Sequence, residues 1–314
     1  MVIDPSIVLL KMFDGVVAAL VDPSNRTYLL YLVSAALAAG LILVRQLGLK
    51  TAYKQLASLG SGYFISRSSL TDVALMSFNS LFRALLVLPY LGTSLGVAIV
   101  VGSWLQGSVG DADFIQQLSL PLASIALLFS AVLFLVDDGS RFLTHLAMHR
   151  IPVLWSLHKV HHSATVLTPL TIYRVHPLES VIYFCRGTLS AGIVIGVFVW
   201  LFGRVLSGWE ILGVNAFGFL FNVAFANLRH SHIYLSFGRA ERWFISPAQH
   251  QLHHSAHHHH ANLGSALAIW DRLLGSWKPA KVCRTKLTFG IEQQNIPNGS
   301  DFQLNLNQPG LRRV

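Results

Sequence analysis

Long uncharged apolar stretches limit this chain to a helical membrane fold. Three of them stand out, at Tyr28–Val44, Ala84–Trp104 and Leu118–Val136. A helix needs about 20 mostly apolar residues to cross the hydrocarbon core of a bilayer. Because the polar backbone groups of such a stretch must pair within it, each stretch predicts an α-helix. The composition agrees, since 53% of the residues are hydrophobic and 12% are charged, against about 25% charged in soluble domains.

Two shorter apolar stretches follow, at Gly187–Phe202 and Ile211–Ala226. They are short for full spans, so we expect a membrane hairpin at about residues 187–226 that turns at Gly203–Arg204. The predicted fold is all-α: an integral membrane helical bundle of about four membrane helices, some crossing only in part, with a cytoplasmic helical cap. We divide the chain into an N-terminal membrane region (1–136), a histidine-rich catalytic region (137–280) and a polar C-terminal tail (281–314).

The charges between the apolar stretches orient the predicted bundle. Residues 45–83 hold five Lys or Arg and one acid, which places this segment in the cytoplasm because basic loops stay on that side. The return through Leu118–Val136 then leaves 137–180 and 227–314 in the cytoplasm as well. The net charge of +9 forms no basic stripe interleaved with aromatic residues, so we predict no nucleic-acid partner.

All fifteen histidines lie between His145 and His260, and their spacing is that of metal ligands. An HxxxH pair comes first, and two HxxHH boxes follow; their members are His145 and His149, then His158, His161 and His162, then His250, His253 and His254. Side chains three and four residues apart share a helix face, so we expect each box to aim its imidazoles at one point. Roughly ten clustered imidazoles exceed the needs of one zinc ion and indicate two metals.

Several other readings of these histidines can be tested on the sequence. Imidazole accommodates iron, zinc and copper, so the ligand type leaves the metal open. No Glu has a His three residues later and no HExxH occurs, which excludes the ferritin-like di-iron motif and the zincin proteases. The alternative to an enzyme is a His-rich membrane metal transporter or metal-binding protein. A transporter should place ionisable residues near the midplane of its spans, whereas every histidine here falls outside the apolar stretches.

The ordered boxes resemble the fatty acid hydroxylase/sterol desaturase superfamily of integral-membrane di-iron enzymes, in its bacterial type. The resemblance covers about residues 138–277. It rests on THLAMHR (144–150), LWSLHKVHHS (154–163), YRVHPLE (173–179), RHSHIYLSFG (229–238), SPAQHQLHHS (246–255) and NLGSALAIWDRLLGS (262–276). The ordered set of boxes is much more specific than any one box.

The resemblance implies a set of iron ligands and one supporting acid. The ligands would be His145, His149, His158, His161, His162, His176, His230, His250, His253 and His254, with His259 as the best positional match for one more. Asp138 matches an acidic residue of the family, and the implied role is to orient a ligand imidazole from outside the ligand set.

The resemblance also implies an activity. Two iron ions would use O2 as co-substrate, with NAD(P)H electrons arriving through a separate donor of the ferredoxin, flavoprotein or cytochrome b5 type. The substrate would be a membrane lipid, such as a sterol or a fatty acyl chain, oxidised at an unactivated C–H bond. The residues do not separate hydroxylation from desaturation or from C–C cleavage. The expected location is the cytoplasmic membrane of a bacterium, or the endoplasmic reticulum of a eukaryote, with the catalytic site on the cytoplasmic face.

Overall fold

The computed structural model describes residues 5–58, 60–87, 91–112, 115, 120–203, 208, 210–211, 214–281 and 287–291, and within them the fold is all-α, as predicted. Helices α1 to α11 span Pro5–Val21, Leu29–Leu47, Leu49–Ser58, Arg67–Phe82, Ser94–Val109, Leu122–Arg150, Pro152–His162, Pro177–Phe202, Ala216–Ala224, Pro247–His254 and Ile269–Leu274. Two-residue strands, β1 at Glu210–Ile211 and β2 at Val214–Asn215, pair antiparallel. The predicted helical membrane bundle is therefore confirmed.

Three helices are long and apolar enough to cross a membrane: α2, α6 and α8. The shorter apolar helix α5 packs beside α8. The contact is close because small residues line it: a Cβ at Gly192 would lie 2.7 Å from the Ser94 carbonyl oxygen, and one at Gly196 would lie 2.7 Å from that of Ala98. Glycine at these positions lets two helix backbones approach, as is common between membrane helices.

The structure corrects the predicted lengths of two apolar segments. α8 begins at Pro177 rather than near Gly187, and its 26 residues make it about 39 Å long, enough for a full span. It ends at Gly203, whose φ of 63° is left-handed, whereas Arg204 lies outside the described residues. The return stretch forms β1, β2 and the nine-residue α9, which is too short to cross. The predicted start and length of the first segment are therefore wrong, and the membrane hairpin at about 187–226 stays a prediction.

The predicted span Ala84–Trp104 is also divided. Arg83–Val87 forms a π-helical turn, and α5 starts only at Ser94. The Thr93 hydroxyl caps α5 by accepting a hydrogen bond from the Gly96 N–H. A side-chain cap of this kind marks a true helix start, so the apolar run contains a helix boundary that hydrophobicity alone does not show.

α6 runs without interruption from the apolar stretch into the first histidine pair, across the predicted division at residue 136.

The N-terminal half is connected to the histidine-rich half by Arg174, a buried side chain of the segment between α7 and α8. Arg174 donates to Asp72 of α4 at 3.0 Å and to the Val160 carbonyl of α7 at 3.2 Å. The division into regions at 136 and 280 stays a prediction.

α2 lies along the histidine-rich half over its whole length. Arg26, just before α2, donates to the Ser265 hydroxyl at 3.2 Å, and Leu43, near its end, packs in a cluster with Leu228 and Ile233. The predicted tail is described only at residue 281 and at 287–291, where the Ala256 N–H donates to the Thr288 carbonyl at 2.9 Å. The other tail residues, 282–286 and 292–314, lie outside the described residues.

Candidate metal centre

Nine of the histidines predicted as ligands meet in two groups. The five-histidine group consists of His145, His149, His158, His162 and His253, and one nitrogen of each lies within 4.8 Å of the others. The Nε2 atom of His145 is 3.1 Å from that of His158 and 3.2 Å from that of His149. The rings come from α6, α7 and α10, so two consecutive helices and a third one far along the chain build one group.

The four-histidine group consists of His161, His230, His250 and His254, again with one nitrogen of each within 4.8 Å of the others, and all four are buried. His230 occupies the middle: its Nε2 atom is 3.1 Å from the Nε2 atoms of both His254 and His250. The ring centroids of His161 and His254 are 4.6 Å apart. His230 follows a short 3-10 turn at Ala226–Leu228 rather than a long helix.

Each HxxHH box divides between the two groups. α7 places His158 and His162 in the five-histidine group and His161 in the four-histidine group, and α10 places His250 and His254 in the latter and His253 in the former. At 3.6 residues per turn, residues i and i+4 point about 40° apart, whereas adjacent residues differ by about 100°. The expectation that each box aims at one point is therefore wrong: the i,i+4 pair points at one group and the i+3 member at the other.

Local sequence signals set the directions of the ligand helices. α6 ends at Arg150, Ile151 is extended, and Pro152 begins α7. Proline suits the first position of a helix and keeps the residue before it out of helical conformation, so the chain must change direction between the first pair and the first box. α10 begins with a capping box in which Ser246 and Gln249 bond each other's backbone N–H, and this fixes its start just before His250.

Three imidazoles of the five-histidine group are oriented by hydrogen bonds at Nδ1, the ring nitrogen that points away from the group. The Nδ1 atom of His145 is 2.7 Å from the Leu263 carbonyl oxygen, and that of His253 is 3.0 Å from the Ala261 carbonyl oxygen. The Nδ1 atom of His158 is 2.7 Å from Glu179 Oε1 in the first turn of α8. A proton held on Nδ1 leaves Nε2 as the lone-pair nitrogen that ligates a metal.

Glu179 is a functional residue that the sequence reasoning missed. It is buried, with 1% of its surface exposed, and carboxylates at such depth are almost always paired. The signal was present in the sequence, since Glu179 ends the YRVHPLE segment. Its distance of 21 residues from His158 hides the pairing, because only the packing of α8 against α7 brings them together.

The chemistry of both groups fits metal ions. Burial lowers the pKa of His158 and His161 to about 3 and that of His253 and His254 well below the usual range, because an imidazolium loses its hydration there. The rings are therefore neutral, which is the metal-binding form. The Nε2 atoms of His253 and His162 are buried without a hydrogen-bond partner among the described residues. Buried polar atoms rarely stay unpaired, and metal ions would satisfy those that face into the groups.

Two predicted ligands lie outside both groups. His176 caps α8, and its Nδ1 atom accepts a hydrogen bond from the Leu178 N–H at 3.2 Å. His259 stacks on Trp155, with ring centroids 5.1 Å apart and planes 18° from parallel, and Trp155 in turn lies 5.1 Å from the His149 ring. The His259 ring also lies beside the five-histidine group, with its centroid 6.2 Å from that of His149 and 6.3 Å from that of His162. As ligands, His176 and His259 stay predictions.

Asp138 organises a loop. Its carboxylate accepts hydrogen bonds from the Ala266 N–H at 2.7 Å, the Leu267 N–H at 3.1 Å and the Trp270 indole at 2.9 Å. The same loop carries Leu263, whose carbonyl oxygen orients His145. These contacts connect Asp138 to a ligand imidazole through the loop, and the predicted direct orientation of an imidazole stays a prediction.

Arg229 is a second residue that the sequence reasoning did not assign. It directly precedes His230 and has 1% of its surface exposed. Its Cζ atom lies 5.1 Å from the centroid of the Phe221 ring. Burial, and next the charge of Arg26, lower the pKa of Arg229 to about 9, so the guanidinium stays charged at neutral pH.

Apolar helices that end in two buried all-histidine groups define a membrane protein of the histidine-box type. Residues 130–276 match the family model described as fatty acid hydroxylase, a range that runs from the middle of α6 to the residues after α11. This match confirms the predicted resemblance of residues 130–276 to the fatty acid hydroxylase/sterol desaturase superfamily.

Three curated relatives resemble this part of the chain. An ornithine lipid hydroxylase from Rhizobium tropici is 28% identical over 155 residues, covering 48% of this chain and 42% of the relative. Alkylglycerol monooxygenases from Xenopus tropicalis and Danio rerio are 24% and 25% identical over 160 residues, covering 50% of this chain and 32% of each relative. The matches thus span less than half the length of these relatives. No solved structure gave a significant match.

Proposed function

We propose that the protein is an O2-dependent lipid hydroxylase or desaturase of the membrane, with a di-iron centre. The observation that carries the proposal is the pair of buried groups of five and four imidazoles, with the nitrogens of each group within 4.8 Å of one another. Both groups lie in the segment that matches the hydroxylase model. The relatives named for lipid hydroxylation and alkylglycerol monooxygenation support a lipid substrate.

In this proposal each group holds one iron. Bound there, the two irons would activate O2 for attack on an unactivated C–H bond. The chain's own contribution is to keep the imidazoles neutral by burial and to fix their tautomers through Leu263, Ala261 and Glu179. The buried packing of α6, α7 and α10 keeps bulk water away from the ligand nitrogens, which protects a reactive centre from side reactions.

The position of the groups supports a substrate that arrives from the bilayer. The C-terminal end of α6 carries His145 and His149, and the N-terminal end of α8 carries Glu179. Both helices are candidate membrane spans, so a lipid between them would meet the metal groups where the spans end. The excess of basic residues at 45–83 supports a cytoplasmic location for this end. A separate electron donor would then dock from the cytoplasm.

The first test is metal content and turnover of the purified full-length protein. We expect two irons per chain by elemental analysis, and NAD(P)H-driven oxidation of a lipid under ¹⁸O2 when a reductase and ferredoxin are supplied. Hydroxylation adds one ¹⁸O atom to the lipid, whereas desaturation removes two hydrogens and adds no oxygen. Stoichiometric zinc with no lipid oxidation under these conditions would contradict the proposal. Uptake of labelled metal by vesicles that is lost in His→Ala variants of the boxes would instead support the transporter alternative.

The second test identifies the substrate. Lipid extracts of a deletion strain and its parent are compared by mass spectrometry. We expect one lipid class of the deletion strain to lack an oxygen atom or to carry two additional hydrogens. The first difference indicates hydroxylation and the second indicates desaturation, and identical extracts from cells that express the protein would contradict both.

A further inference from the structure

Two arginines beside the metal groups have no ion-pair partner. Among the described residues, the ion pairs of arginine are Arg141 and Arg186 with Asp137, and Arg174 with Asp72. Arg229 and Arg26 form none. Burying a charge costs free energy unless it is paired and hydrogen-bonded, so these two side chains call for an explanation.

The two arginines lie at one junction of the fold. The Asn227 side chain donates to the Arg26 backbone carbonyl at 2.8 Å, which holds the segment before α2 against the segment that carries Arg229 and His230. The Arg26 guanidinium donates to the Ser265 hydroxyl at 3.2 Å. This junction therefore joins the start of an apolar helix, the four-histidine group and the loop that orients the five-histidine group.

The guanidinium of Arg229 has an open edge. Its Nε and Nη2 atoms are buried and have no hydrogen-bond partner among the described residues. These two nitrogens are adjacent on one edge of the planar group, where their N–H bonds run parallel and match two oxygens of one carboxylate or phosphate. The Phe221 ring lies near the guanidinium carbon and offers no oxygen.

The two carboxylates whose charges act on Arg229 do not fill this edge. Asp138 and Asp271 act on Arg229 through their charges, but their oxygens are occupied by other donors. Those of Asp138 accept from the backbone at 266 and 267 and from Trp270. Those of Asp271 accept from the backbone of Leu263 and Gly264 and from the Ser276 hydroxyl. The charges of Asp138 and Asp271 therefore partly offset that of Arg229, but neither carboxylate accepts a hydrogen bond from its Nε or Nη2 atom among the described residues.

We propose that Arg229, assisted by Arg26, binds the anionic group of a lipid headgroup, a carboxylate or a phosphate, beside the four-histidine group. This inference rests on the proposed lipid substrate and narrows its class from any membrane lipid to an anionic one. The open edge of Arg229 takes two oxygens of the headgroup, and Arg26, half-buried at the start of α2, adds a second positive charge. The apolar chain of the lipid then extends along the bundle.

The test measures binding rather than turnover. The full-length protein, in a neutral detergent and with the metal it carries on purification, is titrated with three lipids of equal chain length: a fatty acid, a phosphatidic acid and a diacylglycerol. Native mass spectrometry reports the bound lipid. We expect at least one of the two anionic lipids to bind at least about tenfold more tightly than the diacylglycerol, because a desolvated charge pair is worth a few kcal/mol.

Variants assign this preference to the arginines. Arg229→Gln should abolish the preference for anionic lipids, and Arg229→Lys should keep part of it. Arg26→Gln should weaken the preference, and this variant tests the inference even if the Arg229→Gln protein does not fold. Arg239→Gln is the matched control, because Arg239 is an exposed residue of the 3-10 turn at Gly238–Arg242, and it should change nothing.

Three results would overturn the inference: equal binding of the diacylglycerol, an unchanged preference in the Arg229→Gln or Arg26→Gln protein, or equally tight binding of inorganic phosphate or acetate alone. The last result would mean a site for free anions rather than for a headgroup. Failure of the two proposals can be told apart. A protein that oxidises a lipid without any preference for anionic lipids contradicts only this inference, whereas one that keeps the preference but oxidises nothing contradicts only the proposed function.

Discussion

The two histidine groups are built from the same boxes but are held in different ways. In the five-histidine group, His145, His158 and His253 are each fixed by a bond from Nδ1 to a carbonyl or carboxylate oxygen. In the four-histidine group, the Nδ1 atoms of His250 and His254 have no such partner among the described residues. Three rings of the first group are thus oriented by hydrogen bonds to other parts of the chain. Its other two members, His149 and His162, have buried Nδ1 atoms without a partner among the described residues, as these two rings of the second group do.

The two groups therefore differ in how many hydrogen bonds their ligand rings make with other parts of the chain. Bonds from outside the ligand set fix ring orientation and raise the basicity of a ligand, so the five-histidine group should keep its geometry without metal. The four-histidine group should depend more on the metal itself for its geometry. Its neighbour Arg229, with an open hydrogen-bonding edge, marks it as the side on which we expect the lipid headgroup.

The largest effect should come from removing one ligand of each group. His253→Ala should lose the metal of the five-histidine group and His254→Ala that of the four-histidine group, each leaving one metal per chain. Activity should fall more than about 100-fold in both, since loss of an outer partner alone costs 10–100-fold. Elemental analysis and turnover measure this, with the exposed His257→Ala as control. Full metal content in either variant would remove that group from the metal centre.

The next largest effect should come from Glu179→Ala. Loss of the 2.7 Å contact with His158 should weaken metal binding by the five-histidine group about 10–100-fold, and Glu179→Gln, which keeps an acceptor oxygen, should weaken it less. Chelator competition followed by elemental analysis measures the affinity. The four-histidine group should retain its metal, and equal losses from both groups would contradict the asymmetry described above.

A smaller effect on the metal centre is expected from Asp138→Asn. The change removes the charge from an acceptor that holds the loop of Ala266 and Leu267, and hydrogen bonds to a charged group contribute about 1.5–3 kcal/mol each. We expect a lower thermal midpoint, and a few-fold loss of metal affinity at the five-histidine group through Leu263 and His145. Asp14→Asn, the same change at an exposed residue of α1, is the control. Wild-type values for both measurements would show that the loop is held by other contacts.

The smallest effect is expected from His259→Ala. Because His259 stacks on Trp155 and lies outside both groups, the variant should keep both metals. Loss of one metal equivalent, measured by elemental analysis beside His257→Ala, would instead make His259 a tenth ligand and reduce the contrast between the groups.

Much of the metal centre could be predicted from the sequence. The HxxxH and HxxHH spacings, together with the family resemblance, select the nine residues of the two groups, because helical periodicity alone places such side chains near one another. The division of each box between two groups could have been derived from the rotation of about 100° per residue in an α-helix. Which group each member of a box joins could not have been derived in this way. That His253 joins the first box's pair while His161 joins the second's depends on how α7 and α10 face each other.

The sequence by itself determined the helical membrane class and the histidine content of the site, since both follow from local patterns: uncharged apolar runs and ligand spacing. Only the tertiary structure decided that α8 is long enough for a full span, that Glu179 reaches His158, and that Arg229 is buried with an open edge beside His230. These features depend on contacts between residues far apart in the chain, such as Asp138 with Ala266 and Asn227 with Arg26. Such a long-range hydrogen bond cannot be predicted from a periodic sequence pattern, because it forms only when the helices pack.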